Sequence, residues 1–341
     1  MLFSCSATDI QHKFIDVSLQ AIESDLFPLS LGFRSQVLKL KFADPTADKH
    51  YLQPTLTLKN VMQTLEQRFK PTHVKIAHHA YIGETVSIIY APFYIDKYIY
   101  DGVLNKPVTS NLPQGFDIHS FPDARPEWAI QFLPTLCPHC GWDMIGQKDS
   151  LVLSCENCCS VYQPKARGFS KLNTVHLRGN KASQRYMPFW RIKADISGMS
   201  LNTYADFIRE ANLTKTAPLG FSEAAFHFWS PAFKIRPQFL LRLSQTATVA
   251  QPVGTFSAGA PKGDLHPVNL PLKEALEILK LILGGIIKPR HKIVTKLKEI
   301  KIKPKSFILV YLPFVEKHHD LVQPELGMSI NKNMLAHAKN L

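Results

Sequence analysis

Apolar residues in LTLKNVMQTLEQRF recur at Leu58, Val61, Met62, Leu65 and Phe69, the spacing that lines one face of a helix. Pro71 ends that pattern. The run VKIAHHAYIGETVSIIYAPFYIDKYIYDGVL follows, rich in β-branched and tyrosine residues, and predicts strands. Residues 107–127 carry Pro107, Pro113, Pro122, Pro126 and Gly115 among polar residues and read as a linker. Further on, YMPFWRIKADI (186–196) reads as a strand and YADFIREAN (204–212) as a short helix. AFHFWSPAFKI and FLLRLSQTATVAQPV again favour strands. After a Gly- and Pro-rich loop over 254–271, Leu272, Leu276, Leu279 and Leu283 share a helical face. Pro271 marks the start of that helix, and Gly284 and Gly285 are natural stops.

The tetrapeptide Tyr-x-Pro-Phe occurs at Tyr90–Phe93, Tyr186–Phe189 and Tyr311–Phe314. The first and third copies each follow an amphipathic helix and each precede an Asn-Lys pair, at Asn105-Lys106 and Asn331-Lys332. This pattern predicts a duplicated helix-plus-strands unit. Proline removes a ladder donor, so these strands are expected at edges or bulges.

Five of the six cysteines fall within 23 residues, a clustering that reads as metal binding rather than a disulfide framework. The string is Cys137-Pro-His-Cys140, fourteen residues, then Cys155-Glu-Asn-Cys158. A two-residue gap lets a tight turn aim two thiolates at one point, and two such turns complete a tetrahedron. DSLVLSC and SVYQP read as strands entering and leaving the second turn. The expectation is a zinc ribbon from about Leu133 to Tyr162 holding one structural Zn²⁺. Cys159 stands where the second turn would take glycine, so Cys158 or Cys159 supplies the fourth ligand, with the spacing favouring Cys158. Iron shares the four-thiolate geometry; ligand spacing favours zinc. His139 points away from the site in this reading, and Cys5 is a plain thiol.

The chain of 341 residues suits two or three domains: an α+β domain over 1–130, the ribbon over 131–165, and a β-rich α+β domain over 166–341 with the amphipathic helix near 272–283. The fold class is thus α+β, a β-rich multidomain chain. The N-terminal residues lack the basic and apolar regions of a secretory signal, and no apolar run is long enough to span a bilayer. A cytoplasmic location is expected. No phosphate-binding GxxxxGK[ST] loop, GxGxxG turn, GxSxG elbow or HExxH helix is present, so no enzymatic role is read.

The net charge is +13. Lys165, Arg167, Lys171, Arg178, Lys181, Arg185, Arg191 and Lys193 follow one another without an acidic residue, and residues 288–305 carry eight more basic groups against Glu299. With Trp190 beside them, the first group forms a candidate contact for nucleic acid or another polyanion. The second group, after a helix, also suits an anionic membrane surface.

The ribbon followed by Tyr186-Met-Pro-Phe-Trp190 resembles a loose set of uncharacterised bacterial zinc-ribbon proteins, in which a CxxC…CxxC module precedes a Tyr-x-Pro-Phe-Trp strand. The resemblance covers about Leu133 to Pro252 and implies a non-enzymatic role. Two functions follow as expectations: a binding or scaffold component with a protein partner, and a nucleic-acid-binding protein using the ribbon and the basic segments.

Overall fold

A computed structural model describes residues 2–13, 19–30, 40–44, 46–57, 60–61, 63–64, 76–82, 88–126, 132–179, 184–214 and 222–337. The fold is mixed and sheet-rich, with some helices, and divides into two compact units. One comprises Met1–Phe14, Val74–Glu84 and Phe132–Leu341; the other comprises Ile15–His73 and Thr85–Gln131.

In chain order, the larger unit begins with β1 (Leu2–Cys5), β2 (Ile10–Lys13) and β3 (His78–Tyr81), a small antiparallel sheet with β1 central. The smaller unit holds β4 (Phe93–Ile95), β5 (Ile99–Asp101) and β6 (Lys106–Pro107) as an antiparallel meander. Tyr94 and Tyr100 stack across its first pair at 5.0 Å. The proline-rich stretch expected as a linker is tied down in this unit: Ala124 N–H donates to Tyr51 O at 2.7 Å, and Tyr51 N–H donates to Asp123 at 2.8 Å. Of the helix expected over 58–69, Asn60, Val61, Gln63 and Thr64 are helical; Leu58, Met62, Leu65 and Phe69 lie outside the described residues.

Four short strands then form the cysteine-rich module: β7 (Met144–Ile145), β8 (Leu153–Cys155), β9 (Val161–Lys165) and β10 (Gly168–Leu172). The main sheet follows, built from β11 (Thr174–Leu177), β12 (Gln184–Ser197), β13 (Phe228–Pro231), β14 (Phe256–Ala258), β15 (Asp264–Leu265), β16 (Lys301–Lys317), β17 (Asp320–Gln323) and β18 (Met328–Asn331). Its central order is β13-β12-β16-β11-β14.

β12 and β16 pair antiparallel from Gln184 opposite Val315 to Ser197 opposite Lys301. The second and third Tyr-x-Pro-Phe copies lie directly across from each other: Tyr186 faces Pro313, Met187 faces Leu312, and Pro188 faces Tyr311. Phe189 and Phe314 lie fully buried with ring planes only 4° apart.

Proline in an inner strand is tolerated here because of where each ring nitrogen points. Pro188 O accepts from Ala232 N–H at 2.9 Å, so the nitrogen of Pro188 also faces away from β16, just past the end of β13. Leu309 N–H donates to Asn173 O at 3.0 Å, which turns residues 309, 311 and 313 of β16 toward β11. Pro313 lies beyond the last β11 pairing, at Tyr311, and before the first β17 pairing, at Val315. The missing donors of Pro188 and Pro313 therefore fall where the neighbouring strand has ended, and the shared ladder stays intact through this stretch; Pro304, also in β16, lies at the register shift between Lys193 and Ala194.

Helices α1 (Tyr204–Ala211) and α2 (Pro237–Ala250) pack on this sheet. α1 is the short helix expected at 204–212, and a capping box between Thr203 and Asp206 starts it. The segment expected as a strand from Phe239 to Val253 is instead the helix α2. Leu240, Leu243, Ser244 and Ala247 are its buried positions at helical spacing, and Pro237 opens it. Thr246, Thr248 and Val249 favour a strand locally, but burial of that stripe decides the outcome. Thr248 Oγ1 accepts from Trp229 N–H at 3.0 Å, which fastens α2 to β13.

The helix expected over 272–283 is two helices, α3 (Leu272–Glu277) and α4 (Leu279–Ile286), broken at Ile278. Gly284 and Gly285 lie inside α4 rather than ending it. A Cβ on Gly284 would stand 3.3 Å from both Cys5 Sγ and the Leu297 side chain, so glycine here serves close packing. α5 (Arg290–Lys296) leads into β16, and α6 (Lys332–His337) closes the described chain. Among the described residues, no helix is long and apolar enough to cross a membrane.

Two imidazoles in this core are held neutral. Burial, with Lys280 and His79 nearby, lowers the pKa of His78 to about 4. Burial, reinforced by the charge of Arg191, does the same to His227, also to about 4. An unfolded histidine titrates near ~6.5, so between that pH and about 4 the unfolded chain takes up protons that the folded chain refuses. Stability should therefore be unaffected by these groups above pH ~6.5 and should fall as pH drops toward 4. Urea midpoints measured across that window should decline less in the His78→Gln/His227→Gln variant than in the wild type. Equal declines in the two proteins would contradict this assignment.

Candidate metal centre

Two tight turns face each other in the cysteine-rich module, and they are built alike. Gly141 N–H donates to Cys137 O at 2.9 Å, and Cys159 N–H donates to Cys155 O at 2.9 Å. Cys137 N–H donates to Trp142 O, and Cys155 N–H donates to Ser160 O. The residue after each second cysteine takes a left-handed backbone, at φ 73° for Gly141 and 58° for Cys159. Glycine adopts this region freely, whereas Cys159 carries a Cβ there, at a cost of roughly 1–2 kcal/mol.

The sulfurs of Cys137, Cys140, Cys155 and Cys158 all lie within 4.8 Å of one another. Cys137 and Cys158 approach to 3.6 Å, and Cys140 and Cys155 to 3.5 Å. A disulfide would require about 2.05 Å. Four thiolates about 2.3 Å from one tetrahedral ion would stand about 3.8 Å apart, close to what is found. The donor set and its spacing therefore fit a metal ion. This is the one group of three or more His, Cys, Asp or Glu side chains among the described residues that could hold one. Cys159 and His139 lie outside it.

The surroundings act differently on the individual sulfurs. Burial raises the Cys137 thiol, but backbone amides of His139 and Cys140 outweigh it and lower its pKa. The hydroxyl of Ser160 is the main cause that draws Cys158 down to about 5. Burial pushes Cys155 up to about 12. Tyr162, buried, places its hydroxyl 3.9 Å from Cys137 Sγ. Ser160 and Tyr162 were not singled out by the sequence reasoning. Their signal lies in the position two residues past the last ligand and in the alternation of the strand that follows.

The module's own core is small: Cys137, Met144, Cys155 and Tyr162, with Leu153, Cys158 and Phe169 against it. It is joined to the 259–268 segment through the backbone. Ala260 N–H donates to Cys159 O at 2.8 Å, and Leu151 N–H donates to Val268 O at 2.7 Å. A Cβ on Gly259 would stand 2.5 Å from Cys159 O, so only glycine fits at this crossing. Val152 and Val161 belong to the main core.

The candidate polyanion residues are spread over several elements. Lys165, Arg167 and Lys171 are exposed on the β9–β10 hairpin, and Arg178 is exposed just after β11, donating from Nε to Ser257 Oγ. Arg185 is paired with Asp264 at 2.7 Å. Lys181 lies outside the described residues. Trp190 is only 4% exposed, and its indole N–H donates to Leu270 O at 3.0 Å. Its ring is therefore taken up by the core and not offered to a base. Comparison with protein-family models, curated proteins and solved structures finds no match.

Substitution separates the two adjacent cysteines. Cys158→Ser should lose bound metal, measured by elemental analysis of the purified protein, while Cys159→Ser should retain it. Cys159→Gly should also retain it and gain up to about 1 kcal/mol by relieving the left-handed backbone. Equal metal loss from the Cys158 and Cys159 variants would contradict the ligand assignment.

Proposed function

We propose that the protein is a non-enzymatic, zinc-containing binding or scaffold component of a protein assembly. The observation that carries this reading is the closed shell of four sulfurs. Four thiolates around one tetrahedral ion leave no position for water or substrate, as a catalytic zinc would require. Zinc is favoured over iron because two paired CxxC turns on short strands are the usual setting of a structural zinc. A four-thiolate zinc site also requires reduced cysteines, which supports a cytoplasmic location.

Trp142, Leu136 and Ile145 support the protein-partner side of the proposal. They are 58%, 54% and 50% exposed on the module that the metal would fold. Aromatic and aliphatic groups left in solvent on a small rigid unit are the material of a partner contact. In the same reading, the repeated Tyr-x-Pro-Phe segments descend from a duplicated helix-plus-strands unit. The resemblance to bacterial zinc-ribbon proteins points to the same non-enzymatic class.

A second reading, nucleic-acid binding, is favoured by the exposure of Lys165, Arg167 and Lys171, and of Lys288, Lys292, Lys296 and Lys298. Peripheral contact with an anionic membrane would use the same charges.

Elemental analysis should find one zinc per chain. Removing it with a chelator should unfold residues of the cysteine-rich module, as seen by loss of their amide protection, and should abolish capture of the partner. Trp142→Ala/Ile145→Ala should abolish capture while keeping the zinc. Retention of fold and capture after complete zinc removal would refute the proposal.

A further inference from the structure

Past Ile192 and Phe307, β12 and β16 leave the main sheet together. β13 accompanies β12 only over Phe189–Ile192, and β11 accompanies β16 only over Leu309–Tyr311. Among the described residues, Lys193–Ser197 and Lys301–Ser306 pair only with each other, forming a two-stranded arm.

The arm has two unlike faces. Ile192 is buried, Ala194 and Ile196 are half-buried, and Lys193, Asp195 and Ser197 between them are exposed. On β16, Ile302 lies opposite Ile196 and is half-buried, while Lys301 and Lys303 are exposed opposite Ser197 and Asp195. Ala194, Ile196 and Ile302 pack against the main core. The register shifts by one residue between Lys193 and Ala194, so that Pro304 faces Ala194 and Ser306 faces Lys193. Lys305 is the extra residue, exposed, with its ammonium 2.8 Å from Asp195. Four lysines thus stand on the outer side of the arm against one carboxylate.

We infer that this arm is a docking surface for duplex DNA, with Lys193, Lys301, Lys303 and Lys305 contacting backbone phosphates. The inference deepens the nucleic-acid reading given above and rests on it. Alternate residues of a strand are about 6.7 Å apart, so Lys301 and Lys303 span about two base-pair steps of ~3.4 Å. A two-stranded ribbon has the width that the major groove of B-form DNA admits, whereas the major groove of an RNA duplex is deep and narrow. Stable seating on a bilayer asks for apolar side chains to insert, and those of the arm are turned into the protein's own core. Binding of a single strand asks for rings on which bases stack. Phe307, 40% exposed, lies opposite Ile192 and packs edge-on against Trp190 at 6.1 Å, on the face opposite Lys193. Lys296, the last residue of α5, and Lys298 are exposed and lead, past the exposed Glu299, into the Lys301 end of the arm.

The test is fluorescence anisotropy of the full-length protein with a short labelled DNA duplex over a salt series. Three proteins are compared: wild type, Lys301→Glu/Lys303→Glu, and the control Lys262→Glu/Lys317→Glu, which reverses the same number of exposed charges away from the arm. All the substituted side chains are exposed, and circular dichroism verifies that the fold is kept. Lys301→Gln/Lys303→Gln, which removes charge without reversing it, serves as a milder second variant. The wild type should bind with affinity falling steeply as salt rises. Both arm variants should bind more weakly, about tenfold or more for the reversal, and should flatten the log–log salt slope by about 2. The control should stay within about twofold of the wild type. If the wild type binds the duplex and the arm variants bind equally well, the arm inference is wrong while the nucleic-acid reading stands. If the wild type does not bind duplex DNA even at low salt, the inference falls. Absence of single-stranded DNA and RNA binding as well would remove the broader reading. Tighter binding to single strands, to duplex RNA or to anionic phospholipid vesicles would also overturn the assignment to duplex DNA.

Discussion

The ladder shared by β12 and β16 must be continuous through the stretch where each strand carries the proline of its Tyr-x-Pro-Phe copy. A missing donor inside that ladder would leave a buried carbonyl unpaired, at a cost of about 1–3 kcal/mol. The structure meets the constraint by registering Pro188 against Tyr311 and Pro313 against Tyr186, so that both ring nitrogens face outward. They face places where β13 and β11 have already ended. Met187 and Leu312, at the centre, are left to bond to each other and are fully buried. The other elements of the larger unit are organised around this pair. β13 and α2 attach to the outer edge of β12, β11 and β14 to that of β16, and β17 and β18 continue from its end.

The four-cysteine module depends on a different constraint. Its apolar core is too small to stabilise it alone, and the metal that its sulfurs fit would supply what is missing. It is nevertheless no isolated bead. Cys159 O and Leu151 N–H bond to the 259–268 segment, and Val152 and Val161 reach the main core. The strained backbone at Cys159 therefore stands at the joint between metal site and sheet, where its carbonyl is used by Ala260. The four-sulfur cluster and the packing of that segment are linked through one residue.

Much of the metal site was legible in the sequence because its geometry is local: two CxxC turns dictate where four sulfurs go. The strand through Tyr186–Phe189 and the short helix at Tyr204 were legible too, each being decided by residues close together in the chain. The helix Pro237–Ala250 was not, since its β-branched residues speak for a strand and only tertiary burial of Leu240, Leu243 and Ala247 overrules them. Gly284 reads as a helix stop until Cys5, nearly the whole chain away, is seen packed against it. Trp190 reads as a surface ring until Leu270 takes its indole hydrogen. The second and third copies of the tetrapeptide face each other with outward prolines, an arrangement that rests on a pairing between residues more than a hundred positions apart.

If the β12–β16 pair organises the larger unit, it should be the last part of that unit to open. Native-state hydrogen exchange, read residue by residue in low concentrations of denaturant, tests this most directly. The amides of Met187 and Leu312 should exchange only through global unfolding, with the free energy that denaturant titration gives for the whole unit. They should remain protected when a chelator has freed the amides of the cysteine-rich module. Exchange of Met187 and Leu312 through a smaller opening, or ahead of the amides in α2, would contradict the account.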